Sequence, residues 1–88
     1  MQQKFIIQGA RRALLVELLQ SLAAFALMDR RAEDFFVFTN MPDQAPFSMD
    51  FEIVNDGFLS VRSGSYFCFL GAFVESASAI ATLVVTDA

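Results

Sequence analysis

Eleven phenylalanine side chains must find places in a chain of 88 residues that has no histidine, no tryptophan and one cysteine. A domain of this length has little interior for its surface. Apolar residues make up 56% of the chain, more than one small core is expected to hide. Some of that apolar area is expected to meet a second copy, another protein or a ligand. The length fits a single domain, residues 1–88.

The same composition removes most chemistry. Without histidine there is neither a Ser–His–Asp nor a Cys–His arrangement. Four scattered glycines form no phosphate-binding loop. One cysteine and carboxylates alone make a poor set of metal ligands, so neither metal nor cofactor is expected. Cys68 lies in Tyr66-Phe67-Cys68-Phe69-Leu70 and reads as a small buried hydrophobe. A lone thiol fits a reducing compartment, hence a cytoplasmic location. Asp50 and Glu52 stand two apart on one face of a strand. That spacing suits paired carboxylates, but it also suits a solvated acidic face. Glu17 reads as a solvated position on the back of a helix. The expectation is a protein that is not an enzyme.

Charge is unevenly spread. Residues 1–31 hold five basic and two acidic residues, net +3. Residues 32–88 hold one basic and eight acidic residues, net −7, and the two parts give the overall −4. Opposite signs favour docking of the two parts on each other, within one chain or between copies. They offer no continuous basic footprint for nucleic acid.

The spacing of Leu14, Leu15, Leu18, Leu19, Leu22, Phe25 and Ala26 predicts a long N-terminal helix over about 8–31. Arg30 and Arg31 would then sit at the negative end of its dipole. The run Leu22–Met28 is apolar all round, but the longer run over 13–28 is interrupted by Glu17, Gln20 and Ser21. It falls short of the roughly 20 apolar residues a membrane span needs, and Glu17 also spoils a leader-peptide reading. A helix buried on more than one side is the better reading.

The remainder predicts strands over about 34–40, 48–54, 58–63, 65–73 and 77–86. A loop carrying both prolines, Pro42 and Pro46, separates the first two. Around Asn55-Asp56-Gly57, a three-residue loop opposes Ile53 to Leu59, Phe51 to Val61, Glu52 to Ser60 and Asp50 to Arg62. That register segregates apolar from polar and gives Gly57 a left-handed turn position. Residues 65–73 carry apolar side chains at both parities, as a central strand does. Residues 74–86 satisfy helical spacing as well as alternation, and Thr82–Thr86 tips them toward a strand.

The expected fold is therefore α+β: one long N-terminal helix packed on an antiparallel meander of about five strands. One helix covers one sheet face, and the other face is left bare. From that follows the expected function, a non-enzymatic interaction or assembly module that self-associates, with a dimer favoured. Its expected interface is Leu18, Leu22, Phe25 and Met28 on the helix, with Phe36, Phe38, Phe67 and Phe69 on the strands. Two alternatives stand beside it. One is a carrier of an apolar small ligand in a Phe-lined cavity. The other is an acidic inhibitor docking on a larger protein through Asp50 and Glu52.

Overall fold

The computed structural model describes residues 2–87, which form a six-stranded antiparallel sheet with helices on one face. The elements are β1 (Gln2–Ile7), α1 (Arg12–Ser21), a short 3₁₀ turn (Leu22–Ala24), β2 (Leu27–Ala32), β3 (Phe35–Thr39), β4 (Phe47–Val54), β5 (Gly57–Gly64), α2 (Phe67–Ser78) and β6 (Leu83–Asp87). Strand order is β2-β3-β4-β5-β1-β6. β2 to β5 run as a meander, while β1 inserts between β5 and β6. Two crossovers, β1-α1-β2 and β5-α2-β6, thus interleave as in a split β-α-β arrangement, with a longer return between them.

The class α+β and the antiparallel sheet agree with the sequence; several elements do not. The long helix over 8–31 is replaced by α1, one 3₁₀ turn and β2. The Ser21 hydroxyl donates to the Leu18 carbonyl at 2.6 Å, a local bond that competes with helix continuation. Beyond it, pairing of Leu27–Arg30 with β3 outweighs helix propensity. Arg30 and Arg31 accordingly sit on an edge strand and not at a helix end. The strand expected over 65–73 is the first half of α2, and only the end of 77–86 is a strand. No strand is expected over residues 2–7, where β1 lies.

The hairpin register also differs. Ile53 faces Phe58, Glu52 faces Leu59 and Met49 faces Arg62, around a two-residue loop of Asn55 and Asp56. A slip of one residue turns every side chain to the other face. Phe58 and Ser60 therefore point into the core, and Leu59 and Val61 point out of it. Gly57 does not hold a left-handed turn. A Cβ at Gly57 would lie 1.8 Å from the Phe5 carbonyl oxygen, so glycine is needed there because β1 passes so close.

The core lies between the helices and one sheet face. Phe5, Phe36, Phe38, Phe47, Met49, Phe51, Ile53 and Phe58 of the strands meet Leu15, Leu18, Leu19 and Leu22, and Phe69, Phe73 and Ala77 of α2. Phe51 is its centre, against the rings of Phe5, Phe38, Phe58, Phe69 and Phe73 at centroid distances of 4.9–6.4 Å. Eight of the eleven phenylalanines are buried. The second helix supplies cover that the sequence reading lacked, so the core takes up much more of the aromatic excess than expected.

Charge does join the two parts of the chain. Arg12 pairs with Asp34, and Lys4 with Asp56 at 3.2 Å, each a basic residue of the first third on an acid of the remainder. All four side chains are at least one-third exposed, so these pairs orient more than they stabilise.

Candidate interaction surface

The strand registers define the face opposite the helices. Across one row stand Ala32, Phe35, Glu52, Leu59, Lys4 and Thr86. Beside it run Asp29, Val37 and Asp50 in the neighbouring row, with Val61 and Gln2, and on the other side Val54, Gly57, Ile6 and Val84. Among the described residues no element covers this face. Val37 is buried there, yet stands apart from the core cluster. The face is thus apolar along β3, β5 and the ends of β1 and β6, with acids on β2 and β4.

Asp50 has a structural task on this face. Its carboxylate accepts the Val61 amide at 2.9 Å, where a regular ladder would offer the main-chain carbonyl. Direct pairing of β4 with β5 is interrupted at that point. Glu52 is exposed and lies on the same face. The acidic pair expected from the sequence does share a face, but the expected partners change: Glu52 lies opposite Leu59, and Arg62 stands on the helix side with its guanidinium over the Tyr66 ring at 4.8 Å.

The other interface candidates separate cleanly. Leu18, Leu22, Phe36, Phe38 and Phe69 are each 4% exposed or less and belong to the chain's own core. They are used internally and offer no surface. Met28 is half-buried on β2, against the core. Phe25 and Phe67 are exposed, at 43% and 72%. Phe25 borders an open cleft of about 310 Å³ with Ala72, Glu75, Ser76 and Ala79. Phe67 begins α2 and stacks on Tyr66 at 4.6 Å. Cys68, expected to be buried, is exposed at the N-terminal turn of α2, its thiol 3.3 Å from the Gln44 side-chain oxygen.

The residues of this face missed by sequence reasoning are Ile6, Phe35, Leu59, Val61 and Val84, with Val37 buried among them. Their signal was the other parity of the same alternating runs. Phe35 and Val37 alternate with Phe36 and Phe38, and only the position of the helices decides which pair is covered.

The two sheet edges differ. β2 carries Asp29, Arg30 and Arg31 in succession, with a register shift between Arg30 and Ala32. Arg30 lies over the Phe36 ring at 4.9 Å and donates to the Glu33 carbonyl at 3.0 Å. β6 at the opposite edge reads Leu83-Val84-Val85-Thr86 before Asp87, and no charged residue occurs between Ser76 and Thr86. Val85 and Ile80 are each 47% exposed and Val74 is 36% exposed.

Among the described residues no three of Cys, Asp and Glu converge on a possible metal position, and no helix is long and apolar enough to cross a membrane. No protein-family model matches the chain, and neither a curated protein nor a solved structure does.

Proposed function

We propose that this chain is a small non-enzymatic protein-interaction module that self-associates, using the open part of its sheet and not the helix face. The observation that carries this reading is one-sided cover. α1 and α2 share one face of the sheet, while Ile6, Phe35, Val37, Leu59, Val61 and Val84 lie on the other, with an uncharged edge beside them. Of these, Val61 is 43% exposed, Ile6, Phe35, Leu59 and Val84 are half-buried, and Val37 is buried. A partly open apolar face of this kind, broken by a few charges, is characteristic of association sites. A reducing, cytoplasmic setting accords with the unpaired thiol of Cys68.

The core weighs against the carrier alternative. Its rings pack on one another, as Phe73 does on Phe5 at 4.9 Å and Phe69 on Phe38 at 4.8 Å, and so fill the space that a Phe-lined cavity would need. The acidic-inhibitor alternative keeps one supporting observation. Asp50 and Glu52 stand on the bare face with Lys4 as the basic residue in those rows, while Asp29 is paired with Arg31 at 3.0 Å. Native mass spectrometry of the freshly purified chain separates the three. A ligand-free species at twice 9.8 kDa is expected. A monomer carrying a lipid-sized adduct would favour the carrier, and a bare monomer at micromolar concentration would overturn self-association.

A further inference from the structure

We propose that β6 pairs antiparallel with β6 of a second copy, joining two six-stranded sheets into one, in the register that places Val84 against Val84. This inference rests on the self-association reading above and places the contact at the β6 edge beside the bare face, which the pair extends and does not cover.

An open sheet edge presents unpaired N–H and C=O groups to any other strand, and charge, bulges and irregularity are the usual means of blocking that pairing. β2 uses charge and irregularity: Asp29, Arg30 and Arg31 in succession, and a register shift at Arg31. β6 uses none of them between Leu83 and Thr86. The difference between the two edges of one sheet singles out β6 as the edge left available for pairing.

The register follows from the backbone. Gln8 donates its amide to the Thr82 carbonyl at 3.1 Å, continuing the β1–β6 ladder in which Ile6 faces Val84. Hydrogen-bonding direction alternates along a strand. Thr82, Val84 and Thr86 therefore direct their main-chain groups toward β1, and Leu83 and Val85 direct theirs to the open edge. A two-fold axis normal to the sheet keeps the two faces matched, so only residues of equal parity can oppose. Centring the axis at Val84 pairs Leu83 with Val85 of the second copy, twice, through the outward amides and carbonyls. It sets Val84 on Val84 and Thr82 on Thr86. Over residues 82–86 every pair is then apolar with apolar or threonine with threonine, combinations that stabilise antiparallel strands, and Asp87 falls opposite Ala81, beyond the start of β6. Centring at Val85 instead brings Asp87 opposite Leu83, within the strand. The first register keeps the one charged position off the paired apolar strand and the second does not.

The occupant is a second copy because the strand is complementary to itself in this way, and because exposed Val85 and Ile80 lie on or just before β6, where the same axis brings them toward the partner. In the pair the two bare faces become one continuous surface, with Val84 and Thr86 at its centre.

Disulfide trapping tests this in a Cys68→Ser background. At the axis, opposed residues of a non-hydrogen-bonded pair have Cα atoms about 4.5 Å apart, within the range a disulfide spans. Val84→Cys is expected to convert to a covalent dimer under mild oxidation. Thr86→Cys lies on the same face, but its symmetry mate is four residues away along the partner, about 13 Å, and it is expected to stay monomeric under denaturing conditions. Hydrogen exchange of the unmodified chain gives a second readout: the Leu83 and Val85 amides should exchange more slowly as concentration rises, and the amides of β2 should not. A dimer that leaves Val84→Cys uncrosslinked and these amides unchanged overturns the edge pairing while self-association stands. A wild-type chain that is monomeric throughout overturns both.

Discussion

Gly57 holds its place because of a neighbour that is remote in sequence. With the Phe5 carbonyl 1.8 Å from where its Cβ would be, even Gly57→Ala must push β1 off β5. Overpacking of this sort costs about 1–3 kcal/mol, and Gly57→Val should exceed it. Thermal unfolding followed by circular dichroism checks this: an unchanged Tm for Gly57→Val would mean that β1 does not pass there. Ser60 is the opposite case. It is buried among the rings, and its hydroxyl has no hydrogen-bond partner among the described residues. Removing an unsatisfied hydroxyl without changing the shape is neutral or favourable, so Ser60→Ala should keep or raise stability in urea titration. Phe51 sits at the middle of the aromatic cluster, and Phe51→Ala should cost about 3–5 kcal/mol. That is a large part of the roughly 5–15 kcal/mol typical of a whole domain. The inward side chains of β4 can be read directly from alternation, whereas β3 is apolar at both parities. Those of β5 cannot, because Gly57 looks like a turn residue until β1 is known to lie beside it. One mistaken role for a glycine shifts the whole strand by one residue and puts Leu59 and Val61 in the core, whereas they lie on the face away from the helices.

Helices and strands were hardest to tell apart where their periods coincide. Phe69, Phe73 and Ala77 are four residues apart and all buried. A spacing of four satisfies both the two-residue repeat of a strand and the 3.6-residue repeat of a helix, so these positions fit either. The deciding residue is Phe67, which a strand would bury with Phe69 and which α2 leaves 72% exposed. Gly71 offers a direct check. It is exposed within α2, and a Cβ there meets nothing within 4 Å. Glycine inside a helix is about 0.5–1 kcal/mol worse than alanine, so Gly71→Ala should raise the Tm by a few degrees. A loss of stability would argue against the helix. The N-terminal segment failed for a related reason: Leu14 to Leu22 are helical in spacing and in fact. Beyond Ser21, long-range pairing with β3 takes over, and neither spacing nor propensity carries information about a partner strand. A sheet face without helices is found, but not on the expected ground: a second helix exists and packs on the same side as α1, and Phe36 and Phe38 belong to the covered face.

For the assembled molecule, the proposed contact is uncharged: residues 76–86 contain neither an acid nor a base. Association through it should tolerate salt, because only charge-mediated contacts weaken as the Debye length shrinks from about 10 Å at 0.1 M to 3 Å at 1 M. Docking through Asp50 and Glu52 would weaken over that range. Sedimentation equilibrium at micromolar concentration, in low and in molar salt, therefore bears most directly on whether open sheet drives assembly. A mass of twice 9.8 kDa in both conditions is the expected result. A single-chain mass at every concentration, or a dimer that dissociates when salt is added, would contradict it.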